Sequence, residues 1–115
     1  ASVLTVTDIT SIANLPAEDR SVCEKLGVSS AYDVAMCFLL NEKTREMCGE
    51  FVRWEDLART QTLVKRAKAF NKDAAPNIQS YHSLRPIPQT YLDIIQKEGK
   101  ALTADEKKAQ QNPGY

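Results

Sequence analysis

Arg53, Trp54, Glu55, Asp56 and Leu57 stand in a row, and a carboxylate pair beside an arginine is a grouping that glycosidase or phosphate chemistry uses. Helical geometry argues against that use. Adjacent helical positions point about 100° apart, so Glu55 and Asp56 cannot flank one bond. The wider spacing fits ion pairs better. Glu42 and Glu46 lie one turn apart, as do Arg45 and Gly49. Glu50 precedes Arg53 by three positions and Trp54 by four, and Glu55 precedes Arg59 by four. Opposite charges so placed come within reach on a helix. Arg45, Glu46, Glu50, Arg53, Asp56 and Arg59 are therefore expected to form partly buried ion pairs and caps between helices. No enzymatic role is expected.

The remaining reactive residue types are few. Three cysteines, Cys23, Cys37 and Cys48, leave one unpaired under any internal disulfide scheme, and none forms a CxxC pair. A cysteine nucleophile needs a basic partner, and nothing brings His82, the one histidine, to any of them. Cys37 and Cys48 are expected to be buried small hydrophobes. With no second histidine a metal site lacks support, and no cofactor is expected. Trp54 shares a helical face with Phe51 and Leu57, which makes it a core residue rather than a platform for a sugar ring. Tyr81 and Tyr91 are assigned to packing. Lys65, Arg66, Lys68 and Lys72 form a mildly basic, solvated face.

The elements that must position these residues follow from periodicity and punctuation. A chain of 115 residues with 43% hydrophobic and 26% charged residues has room for one domain or a piece of one, and is too apolar to be disordered throughout. Fifteen basic against fifteen acidic residues give net charge zero, which provides no field for nucleic acid. No apolar run approaches the roughly 18 residues of a spanning helix, and any export signal is expected upstream. Residues 1–30 have no clean period, and the part before Pro16 reads as a short helix or extended piece. Pro16 and the acids after it open a helix that Gly27 stops. Ser29 and Ser30 offer a cap for a helix over 31 to about 48, whose apolar first half is expected to be buried on most sides. A helix pair over 53–70 breaks near Thr60, with Leu63, Val64, Ala67 and Phe70 inward and Lys65, Arg66 and Lys68 outward. Pro76, Pro86, Pro88 and Pro113 forbid long regular elements beyond 71, so 81–88 is expected to run extended. Tyr91 to Ile95 make one or two helical turns ended by Gly99, and Thr103 opens a short helix over 104–110 as a capping box.

Four segments in order resemble the C-terminal region of the SusD/RagB family. They are Glu42-Lys43-Thr44-Arg45-Glu46-Met47-Cys48-Gly49-Glu50, then Arg53-Trp54-Glu55-Asp56-Leu57-Ala58-Arg59-Thr60, then Leu84-Arg85-Pro86-Ile87-Pro88-Gln89, and last Gln111-Asn112-Pro113-Gly114-Tyr115. The positions that carry the motif are Glu46, Glu50, Arg53, Trp54, Asp56, Leu57, Arg59, Pro86, Pro88 and Tyr115. Residues 42–70 match as a helix pair, 71–115 as a wrapping tail and 1–41 only loosely. Tyr91-Leu92-Asp93 replaces a Glu-Ile-Asp triplet common in that family, Lys43 stands where Arg is common, and a polar stretch over 96–110 is inserted.

The resemblance implies a mainly α fold of tetratricopeptide-like helix pairs with an irregular proline-rich tail, seen here as the C-terminal segment of a longer protein. It implies a cell-surface, outer-membrane lipoprotein, anchored through an upstream N-terminal cysteine, that captures a nutrient such as a starch-like glycan. The implied partners are a SusC-type TonB-dependent transporter, the glycan, and the rest of the same protein, with ligand contacts mainly upstream of these motifs. The competing expectation is a free-standing tetratricopeptide-like scaffold or protein-interaction module.

Overall fold

The computed structural model describes residues 3–115. Its described residues form six α-helices, three short 3-10 helices and one minimal hairpin, so the fold is mainly α. The first α-helix, α1, spans Ala17–Leu26 after Pro16, with Glu18 and Asp19 in its first turn. Proline's fixed φ suits a helix start, and acids there meet the positive end of the dipole. Gly27, at φ 63°, closes it. The Gly27 N–H donates to Glu24 O at 3.0 Å and the Val28 N–H to Cys23 O at 3.2 Å, the two bonds of a Schellman motif.

Helix α2 spans Ala31–Glu46 and is capped by Ser30, whose hydroxyl accepts from the Asp33 N–H at 3.1 Å. Val34, Cys37, Leu40 and Asn41 are its buried positions. The expectation of burial on most sides is corrected: Tyr32 is 72% and Leu39 51% exposed. Only one stripe of α2 finds neighbours, because α1 and the 3-10 helix Asp8–Thr10 cover a single side of it.

Leu15, Cys23, Leu26, Val34 and Cys37 form the main core, with Ile9, Ile12, Val22, Phe38 and Ala69 packed against it. Ile9 and Ile12 come from the 3-10 helices Asp8–Thr10 and Ile12–Asn14. The segment before Pro16 thus closes the core, in turns too short for a period to show.

Helices α3 (Arg53–Arg59) and α4 (Leu63–Phe70) follow. The expected break at Thr60 is another Schellman turn, with Gln61 at φ 57° in the left-handed position that glycine usually fills. The Gln61 N–H donates to Ala58 O at 3.0 Å and the Thr62 N–H to Leu57 O at 2.9 Å.

The tail departs from expectation twice. Residues 81–88 do not run extended throughout, since Ser80–Ser83 is a 3-10 helix capped by Gln79 and His82, and only 84–88 is extended. Helix α5 (Gln89–Ile94) ends before Gly99, which instead turns the hairpin of β1 (Gln96–Lys97) and β2 (Lys100–Ala101). Glu98 and Gly99 have φ of 52° and 75°, the paired positive values of a tight two-residue hairpin turn. Helix α6 (Ala104–Gln110) starts on the expected capping box: Thr103 Oγ1 accepts from the Glu106 N–H, and Glu106 Oε2 accepts from the Thr103 N–H. The molecule measures 64 × 26 × 25 Å with a radius of gyration of 19.4 Å. A compact chain of this length would have about 13 Å.

Candidate functional site

Three polar residues sit where helical spacing places the core. Asp19 begins the stripe Asp19, Val22, Cys23, Leu26 on α1; Asn41 ends the stripe Val34, Cys37, Phe38, Asn41 on α2; Arg66 lies within Leu63, Arg66, Ala67, Phe70 on α4. All three are buried, Asp19 to 1% and Arg66 to 7% exposure. Helix α1 packs on both α2 and α4, and the Arg66 side chain reaches across to α2, which brings them together. Asn41 Nδ2 donates to Asp19 Oδ1 at 2.9 Å, and Arg66 Nη1 donates to Asn41 Oδ1 at 3.0 Å. Arg66 Nη2 reaches the Cys37 carbonyl at 3.2 Å. From the solvent side Arg45 grips both Asp19 oxygens at 3.2 Å and Glu42 at 2.6 Å. Those bonds, to Asp19 first and Glu42 second, hold the Arg45 guanidinium above its ordinary pKa.

Arg66 was expected on the outer face, and its burial is a correction with a clear cause. It shares a stripe with the partly buried Leu63 and Ala67, so its charge is carried inward and satisfied by Asn41, whereas Phe70, expected inward, is 45% exposed at the end of α4 under Lys25. Sequence reasoning also missed Asp19 and Asn41. The signal that finds them is a polar residue on an apolar helical stripe.

The motif residues make a second series of contacts. Asp56, at 8% exposure, takes Lys43 at 2.6 Å and Arg59 at 3.3 Å, and these bonds, Lys43 first, hold its carboxyl below the ordinary range against the opposing effect of burial. Arg53 pairs with no carboxylate: its Nη1 donates to Leu40 O at 2.8 Å. Burial, then repulsion from Arg66, lowers its pKa. The expected Arg53 ion pair is therefore replaced by a bond to a main-chain carbonyl inside α2. Glu46 and Glu50 are exposed and enter none of the ion pairs of the described residues. Leu57 is buried, but Phe51 is 94% exposed at φ 58° and leaves the predicted packing stripe. Trp54 is half-buried rather than core, with the Arg85 guanidinium 4.4 Å over its ring. Arg85 also lies 3.7 Å from Glu55.

The last two motif segments are clamped together. Gln111 Oε1 accepts from the Ile87 N–H at 2.6 Å, and its Nε2 donates to Ile87 O at 2.9 Å. Asn112 Nδ2 donates to Arg85 O at 2.6 Å, and the Tyr115 hydroxyl donates to Leu84 O at 2.8 Å. Tyr115 meets Tyr81 edge-on at 5.2 Å. Gly114 is required there, because a Cβ would fall 2.3 Å from the Tyr81 ring. Pro86 and Pro88 are exposed and keep 84–88 extended for these bonds.

Of the other sequence candidates, His82 accepts the Gln79 N–H through Nδ1 at 2.8 Å. Tyr91 is 55% exposed. Cys23 and Cys37 are buried and free, whereas Cys48 is exposed, against expectation. Burial, then the hydrogen bond with Cys37, pushes the Cys23 thiol up to about 12. Among the described residues no cluster of three or more metal-ligating side chains occurs, and no helix is long and apolar enough to cross a membrane.

Comparison with protein-family models, curated proteins and solved structures finds no match to this chain.

Proposed function

We propose that the chain is the C-terminal segment of a SusD/RagB-like outer-membrane lipoprotein that captures a nutrient, a starch-like oligosaccharide or related glycan, and delivers it to a SusC-type TonB-dependent transporter. One observation carries the reading. The four segments that resemble the family, spread from 42 to 115, are joined in series: Lys43 to Asp56, Glu55 and Trp54 to Arg85, and 84–87 to the terminal Gln111, Asn112 and Tyr115. Lys43–Asp56, Trp54–Arg85 and the bonds of Gln111, Asn112 and Tyr115 run between these segments, which makes the motif a structural latch, while Arg45 and Arg53 tie it to Asp19 and Leu40 outside it. In this reading the chain performs no catalysis, the glycan contacts lie upstream, and the helices pair in the tetratricopeptide manner. Exposed Phe51, Leu39 and Tyr32 face the rest of the same protein.

The second reading, a tetratricopeptide-like scaffold or protein-interaction module, is favoured by the exposed apolar side of α2 at Tyr32 and Leu39. Titration of starch-like oligosaccharides, followed by heat, separates the two. The nutrient-binding reading expects saturable binding by the full-length gene product and none by the 115-residue chain. Binding by neither contradicts it, and saturable binding by the short chain as a folded monomer contradicts the upstream placement of the site.

A further inference from the structure

Arg53 and Arg66 line a cavity of about 500 Å³ whose apolar wall includes Val22, Leu57, Leu63 and Phe70. That volume lies in the range of small-molecule sites. Among the described residues, neither arginine forms an ion pair. The side-chain bonds of Arg66 go to uncharged acceptors, Asn41 and Cys37, and its Nε is buried without a partner. Arg53 gives one N–H to Leu40 O. The other charges on the lining do not compensate them. Asp19 is occupied by Arg45 and Asn41, and Glu18 is exposed. Arg45 is neutralised by Asp19 and Glu42, which leaves Arg53 and Arg66 facing only the exposed Glu18 on the lining.

A guanidinium held out of water without a counter-charge is unfavourable, and an anion that reaches it removes the penalty. The donors left over are few and come from two planar groups, which suits the two oxygens of a carboxylate better than the three of a phosphate monoester. The apolar wall requires a hydrocarbon body behind that head. We propose that this cavity binds a small amphiphilic carboxylate, its head on Arg53 and Arg66 and its apolar body against Leu57, Leu63 and Phe70. This site is independent of the nutrient-binding reading and stands or falls separately from it.

The test is calorimetric titration of octanoate into the full 115-residue chain, with octanol as the uncharged control. Saturable one-to-one binding of octanoate is expected, with octanol at least about tenfold weaker for want of the charged head. Arg53→Gln, which keeps a donor for Leu40 O, is expected to weaken octanoate by about the same factor. Ala67→Leu narrows the cavity without touching either arginine and is expected to abolish binding while the helical circular dichroism is retained. Absence of saturable octanoate binding overturns the proposal. So does equal binding of octanol, or octanoate binding unchanged in both variants.

Discussion

Asp19 is tolerated in the core because both its oxygens are used: Asn41 and Arg45 take one, and Arg45 takes the other. Asp19→Ala removes these acceptors and leaves the Asn41 amide buried without its partner. Its expected cost is about 1–3 kcal/mol, the penalty for an unsatisfied buried group, read as a lower urea midpoint. Loss of less than about 0.5 kcal/mol, the scale of an ordinary surface substitution, would show that the junction of α1, α2 and α4 is wet. Phe51 poses the opposite case. Its backbone is in the left-handed region at φ 58° and its ring is 94% exposed, so it contributes strain without packing in this chain. Phe51→Gly is expected to stabilise the chain by about 0.5–1 kcal/mol, measured by thermal melting, and a destabilised variant would restore Phe51 to the packing stripe predicted from its spacing. Spacing located Leu57 correctly and failed at Phe51, because the turn before α3 rotates that residue out of helical register. It failed at Arg66 for another reason, since charge was given more weight than position on the stripe.

At the level of elements, punctuation was the most readable feature of the sequence. Pro16, Gly27, Ser30 and Thr103 mark helix ends that the structure places at Ala17, Leu26, Ala31 and Ala104. The hairpin over 96–101 was not read, because two-residue strands carry too little alternation to signal themselves. Beside the buried Leu92 and Leu102, that C-terminal region is tied by exposed ion pairs, Lys97–Glu106 and Lys107–Asp93. Lys107 first, then Gln89, holds the Asp93 carboxyl below the usual carboxylate range, and the Thr103 N–H first, then Lys97, does the same for Glu106. A carboxylate depressed in the folded state adds stability above its unfolded pKa and loses it as pH falls through the folded value. Residues 89–110 should therefore lose amide-exchange protection on acidification below about pH 4, ahead of the apolar core of α1 and α2. Simultaneous loss in both regions would contradict this division.

For the molecule as a whole, the radius of gyration of 19.4 Å and the exposed Tyr32, Leu39, Phe51 and Ile94 describe a helical body with a strap rather than a closed core. The mainly α class was readable from periodicity. The elongation was not, because it depends on which stripes find a partner, and α2 finds one on a single side. Exposed apolar residues on an extended shape suit a segment that completes itself against other chain, which is how the nutrient-binding reading uses it. The most direct test of that reading is affinity isolation of the full-length gene product from detergent-solubilised envelopes of its source cells, with identification of what accompanies it. Recovery from the outer membrane in stoichiometric complex with a large TonB-dependent β-barrel transporter is the expected result. Recovery in the soluble fraction, with no such barrel, would contradict it.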